Sequence, residues 1–131
     1  GQTRWTYESE PGPYTFTATN ERQIAGTVAD GVLYQPIGNA GRVIAFDART
    51  GKVLWSLRTW ADVKMSPLVA RGRVYFGDTG GILYAVDASN GSVVHTSSFL
   101  QPFSSAPPLI AGETIFAAAG SVIVAMPLAN V

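Results

Sequence analysis

Residues 45–55 read AFDARTGKVLW, and residues 85–95 read AVDASNGSVVH. In each, an apolar run ends on an aspartate, Asp47 or Asp87, and a glycine follows at Gly51 or Gly91. A carboxylate at the end of a strand can accept backbone N–H bonds from the next two or three residues, which closes an Asx-type turn. The glycine supplies the positive φ that a tight hairpin needs. Trp55, four residues after Gly51, is placed on the strand that follows, where a large flat ring can pack onto a neighbouring sheet. One hairpin written twice at a spacing of about forty residues predicts a repeat architecture.

The repeat extends outward from these hairpins. TVADGVLYQP from Thr27, LVARGRVYFG from Leu68 and LIAGETIFAA from Leu109 share a frame: Val28, Val69 and Ile110, then Leu33, Val74 and Ile115, then Tyr34, Tyr75 and Phe116. Ala45, Ala85 and Ala125 stay in register in the second half of each unit. Alternating or short β-branched runs separated by Gly or Asp-Gly predict strands, four per unit. In the second unit they are expected at Pro67–Ala70, Arg73–Gly77, Ile82–Val86 and Ser92–Ser97. Four short antiparallel strands per unit make a β-propeller blade, so the fold class is all-β. The chain reads as a single domain, 1–131, with an outer strand at 1–10 and units at about 25–59, 66–99 and 106–131.

AFDARTGKVLW closely resembles the tryptophan-docking motif of the quinoprotein-like propellers, the pyrroloquinoline quinone (PQQ) repeat family. AVDASNGSVVH departs from it at Asn90 and His95, and the third copy has Pro127 where the aspartate should be. The resemblance covers nearly the whole chain. It implies an architectural role for Trp5, Asp47, Gly51, Trp55, Asp87, Gly91 and His95, and a periplasmic or other extracytoplasmic location. Because the family includes both dehydrogenases and silent scaffolds, it does not by itself imply an activity.

Composition narrows the classes. Nine basic and nine acidic side chains balance, so no uniform field favours nucleic acid or an anionic membrane. With no cysteine there is no disulfide, thiolate chemistry or cysteine-ligated metal. No signal peptide is recognisable at the amino end. The stretch 109–131 is long and apolar enough to resemble a membrane span, but Glu113, Gly112, Gly120, Pro127 and its place in the repeat make it strands.

No catalytic residue is expected. His95, the single histidine, holds the docking position and is expected to pack between blades. GDTGG, residues 77–81, lacks the lysine and helix of a phosphate loop and reads as a turn. Asn90-Gly91-Ser92 matches a glycosylation acceptor but coincides with the repeat's turn. Asp47 and Asp87 each have a turn to cap and are not expected to ligate metal. The loops entering the inner strands, RTWADVKMS (58–66) and SFLQPFSSA (98–106), are the expected binding face, with Trp60, Asp62, Lys64, Met65, Phe99, Gln101 and Phe103 as candidates. The first unit's counterpart, ESEPGPYTFTATNERQIAG, is longer, which suits a specificity element.

The expected function is a non-enzymatic binding or assembly scaffold with no cofactor. The alternative is the C-terminal portion of a PQQ- and calcium-dependent dehydrogenase, and a third reading is the sensing propeller of a membrane receptor. The expected partner is a protein, or a copy of the chain that completes the ring. From Thr114 to Val131 there is no charged side chain, and the last unit lacks an outer strand while Trp5 has a strand without a unit. A head-to-tail dimer would place Trp5 against the partner's SVIVAM strand, whereas a longer propeller would close differently.

Overall fold

The computed structural model describes residues 1–8, 24–37 and 40–130. Among them lie eleven strands in three antiparallel sheets. The first sheet is β1 (Thr27–Ala29), β2 (Val32–Ile37), β3 (Arg42–Asp47) and β4 (Val53–Arg58), in that order. The second repeats it with β5 (Leu68–Ala70), β6 (Arg73–Gly77), β7 (Ile82–Asp87) and β8 (Val93–Ser98), each within one residue of its expected bounds. The third has β9 (Leu109–Ala111), β10 (Thr114–Ala119) and β11 (Val122–Pro127), and ends in a single 3-10 turn, Leu128–Asn130. The apolar stretch beginning at Leu109 is therefore sheet. No helix among the described residues is long and apolar enough to cross a membrane.

Why this sequence makes these sheets is visible at the hairpins. Asp47 Oδ1 accepts the amides of Arg49 and Thr50 at 2.9 and 3.0 Å, and the Gly51 amide donates to the Asp47 carbonyl at 2.8 Å. Asp87 repeats the arrangement, taking the Ser89 amide at 2.8 Å and its hydroxyl at 2.6 Å. Gly51 and Gly91 have φ of 75° and 77°. Both outer strands then shift register after the same alanine, Ala45 or Ala85.

These hydrogen bonds hold both aspartate carboxyls below the ordinary value of 3.8, with backbone donation from Thr50 leading at Asp47 and the Ser89 hydroxyl leading at Asp87. A carboxylate whose folded value is depressed contributes stability above its unfolded value, and that contribution is lost as pH falls through the folded value. Acid unfolding should therefore set in below about pH 4, and Asp47→Asn with Asp87→Asn should weaken the low-pH dependence in denaturant titrations. An unchanged pH slope in the double variant would show that these turns are not acid-sensitive.

The core is divided by strand alternation. Val43 and Ala45 point into the main core, with Trp55, Val74, Tyr75, Leu83, Ala85, Ile115 and Ala119, and this core runs through all three sheets. Ile44 and Phe46 point the other way, into a smaller cluster with Ile37 and Ala40. On the third sheet the side turned from the core leaves Leu109, Phe116 and Ile123 exposed.

Candidate functional site

Each tryptophan on the repeat's outer position meets the turn of the blade that follows. The Trp55 ring lies over Gly91, where an added Cβ would fall 2.7 Å from it, and its Nε1–H donates to the Ala88 carbonyl at 2.9 Å. Trp5 does the same over Gly51, donating to Ala48 at 3.0 Å and stacking on Phe46 with centroids 5.7 Å apart. Glycine is thus required twice at these turns, for its φ and for the absence of a side chain beneath the ring.

Trp5 lies on its own chain's first blade, over the Gly51 turn. Two expectations change here. Residues 1–8 form no strand; Trp5 and Tyr7 set their rings against Phe46 of β3 instead. His95 is exposed on β8 rather than packed between blades. Its receiving turn is missing: Pro127 replaces the aspartate, and Leu128, at the position of Ala48 and Ala88, turns inward instead.

The loops entering the inner strands divide sharply. Met65 and Phe103 are each 1% exposed and belong to the core. Phe103 fills the space left by Gly77, where any Cβ would lie 2.2 Å from its ring, and Met65 Sδ accepts the Gly77 amide at 3.3 Å. Phe99 is half-buried and meets Phe103 edge to face. Gln101 is exposed, and its side chain lies beside Gly120. Asp62 and Lys64 are half-buried; one Asp62 oxygen is enclosed without a hydrogen-bond partner among the described residues. Trp60 is 77% exposed. The longer first-unit loop falls mainly on residues 9–23, outside the described residues.

Trp60 is displayed by a buried polar network that sequence reasoning passed over. Asp78, inside the GDTGG turn, is fully buried. Its Oδ1 accepts the amides of Gly80 and Ile82 at 2.9 and 3.0 Å, and its Oδ2 accepts the Ala61 amide at 3.2 Å and the Tyr84 hydroxyl at 2.9 Å. Tyr84 Oη in turn accepts the Trp60 amide at 2.9 Å. Every carboxylate lone pair facing the protein is used, so the second blade fixes the loop of the first. Burial, together with Asp78, pushes the Tyr84 phenol up to about 12. A strand-ending Gly-Asp before a glycine pair was the available signal, but the partners are distant in sequence.

These carboxylates do not form a metal centre. Asp47 and Asp87 cap separate turns and Asp78 is saturated by amides and a phenol. Among the described residues no three His, Asp or Glu converge. The described residues therefore assemble no calcium–quinone donor set.

On the side of the first sheet away from the main core, a cleft of about 580 Å³ is lined by Trp5, Tyr7, Leu33, Gln35 and Phe46, among others. It continues the small apolar cluster, and among the described residues Tyr7 is the one titratable group that lines it.

Comparisons with known proteins agree with this architecture. Quinoprotein alcohol dehydrogenase PedH of Pseudomonas putida is 31% identical over 123 residues, covering 82% of this chain and 20% of that protein. The quinone-type alcohol dehydrogenase subunit of Gluconacetobacter polyoxogenes is 37% identical over 70 residues, or 40% of this chain and 10% of its own. The chain thus spans at most about a fifth of the curated relatives it matches. In structure it resembles BamB from Moraxella catarrhalis, with TM-score 0.69 and 21% identity over 86% of this chain and 35% of that one. It equally resembles the quinohemoprotein alcohol dehydrogenase ADHIIG from Pseudomonas putida HK5, with TM-score 0.69 and 22% identity over 81% and 19% of the two chains. The family described as outer membrane protein assembly factor BamB matches residues 1–130, and the chain belongs to this PQQ-type repeat family of β-propellers.

Proposed function

We propose that this segment belongs to a non-enzymatic propeller scaffold that recruits protein partners outside the cytoplasm. The observation that carries the reading is Trp60: a large apolar ring 77% exposed on a loop whose backbone is pinned from the neighbouring blade. A tryptophan left in water gains nothing for the fold, whereas tryptophan on a rigid frame is a favoured contact residue in interfaces. The match to an assembly-factor family over residues 1–130 supports the same reading. Among the described residues, Asp47, Asp78 and Asp87 are engaged in holding turns and a loop.

The competing reading, a piece of a quinoprotein dehydrogenase, rests on the 31% identity to one. The two separate in one assay on the full-length protein, supplied with PQQ, calcium, an alcohol and an artificial electron acceptor. No stoichiometric acceptor reduction is expected. Turnover that depends on PQQ would replace the scaffold reading with the enzymatic one.

A further inference from the structure

The second hairpin departs from the first at a place that the scaffold reading leaves unused. Where the first turn has Thr50 before Gly51, the second has Asn90 before Gly91, and this is the single Asn-Gly pair of the chain. Asparagine before glycine is prone to self-reaction, because no side chain hinders approach of the glycine nitrogen to the asparagine carboxamide. The nitrogen bonds to Cγ, closing a five-membered succinimide, and the carboxamide C–N bond breaks, so that ammonia leaves with the displaced proton. Water then opens the ring at either carbonyl, giving aspartate or isoaspartate, with nothing oxidised or reduced.

The folded turn obstructs the first step at both reacting atoms. The Gly91 amide donates to the Asp87 carbonyl at 2.9 Å, so the proton that must leave the nitrogen is held in a hydrogen bond. Asn90 Oδ1 accepts the Ser92 amide at 2.9 Å, which fixes the carboxamide. The Trp55 ring lies on Gly91 and its indole N–H bonds to the Ala88 carbonyl, so the turn cannot swing without parting the first two blades. Asn90 itself is exposed, and water reaches it as soon as the turn loosens. The turn does not need an amide side chain there: Thr50 Oγ1 accepts the Lys52 amide at 3.3 Å in the first hairpin.

We infer that Asn90–Gly91 is a self-modification site held in check by the Trp55 contact, and that its conversion irreversibly marks a joint between blades that has opened. Isoaspartate lengthens the main chain by one methylene just before Gly91. The glycine then no longer lies beneath the indole, and the joint does not close again in register. The same residues match a glycosylation acceptor, but glycan transfer needs an enzyme and an activated sugar donor, whereas the imide route needs only water.

The test ages the full chain at mildly alkaline pH and follows residue 90 by peptide mass mapping, beside a synthetic peptide AVDASNGSVVH. The peptide should convert at least about tenfold faster than the folded chain, because in the chain only opened molecules react. Trp55→Phe, which keeps most of the packing and loses the indole bond, should speed conversion about fivefold, and Trp55→Ala about tenfold or more. Should Trp55→Ala fail to fold, wild type in urea well below its unfolding midpoint gives the same readout: conversion and hydrogen exchange of the Gly91 amide should rise together. Asn90→Thr should keep the unfolding midpoint of the fresh chain and hold it on ageing. The isoaspartyl fraction of aged wild type, separated by chromatography, should unfold at lower denaturant.

Conversion in the folded chain as fast as in the peptide would overturn the inference. So would a rate unmoved by both Trp55→Phe and mild urea, or an isoaspartyl form as stable as the fresh chain. None of these readouts depends on whether the protein is a scaffold or an enzyme.

Discussion

Trp55→Ala should destabilise the chain by about 3 to 5 kcal/mol in denaturant unfolding. The ring is 8% exposed, packs near Tyr34 with centroids 5.9 Å apart, and lies flat on the Gly91 turn of the next blade. Truncation removes this burial and leaves a cavity that two rigid sheets cannot readily close. It also leaves the Ala88 carbonyl without its indole donor. Trp55→Phe separates the two contributions: most of the packing survives, and the missing hydrogen bond should cost about 1 kcal/mol. Leu54→Ala, one residue away but 47% exposed, serves as the surface control and should cost well under 1 kcal/mol. A loss below about 0.5 kcal/mol at Trp55 would mean that the ring adds nothing to the joint between blades.

The same contact explains which parts of the molecule could be read from sequence. The Asp47 and Asp87 turns use local chemistry, with donors two to three residues away, so composition and spacing expose them directly. Strand bounds follow for the same reason, because each strand is short and its ends are marked by turn residues. The loops entering the inner strands are harder to read. Trp60, Met65, Phe99 and Phe103 look alike as bulky residues between strands, and what separates them is tertiary. Phe103 is buried because Gly77 opens a place for its ring, and Trp60 is exposed because Gly80 and the Asp78 network hold its loop outward. A glycine within a strand pattern signals such a close approach, although it does not say which side chain arrives. His95 shows the complementary limit: the docking position is legible on one strand, but packing needs a receiving turn, and the third unit has Pro127 there.

Asp78→Ala should be of similar severity to the loss of Trp55, about 3 to 5 kcal/mol. The cost comes from the donors left behind. The Tyr84 hydroxyl and the amides of Ala61, Gly80 and Ile82 all point at its carboxylate, and a buried donor without an acceptor costs about 1 to 3 kcal/mol. Relaxation of the exposed Gly80 turn offsets part of that sum. Tyr84→Phe should cost about 1 to 2 kcal/mol, and the double variant should cost less than the two losses added, because both remove the same bond. The phenol supplies an independent check through pH. Its folded value of about 12 lies above the ordinary 10.0, so the fold favours the neutral form. That contribution is complete below pH 10 and is lost as pH rises toward and through 12, a loss that Tyr84→Phe should remove. Hydrogen exchange gives the local readout: the Trp60 and Ala61 amides should lose protection in Asp78→Ala while amides in β10 and β11 keep theirs. If those two amides stay protected and the double variant is strictly additive, the carboxylate does not hold the loop, and the outward display of Trp60 needs another cause.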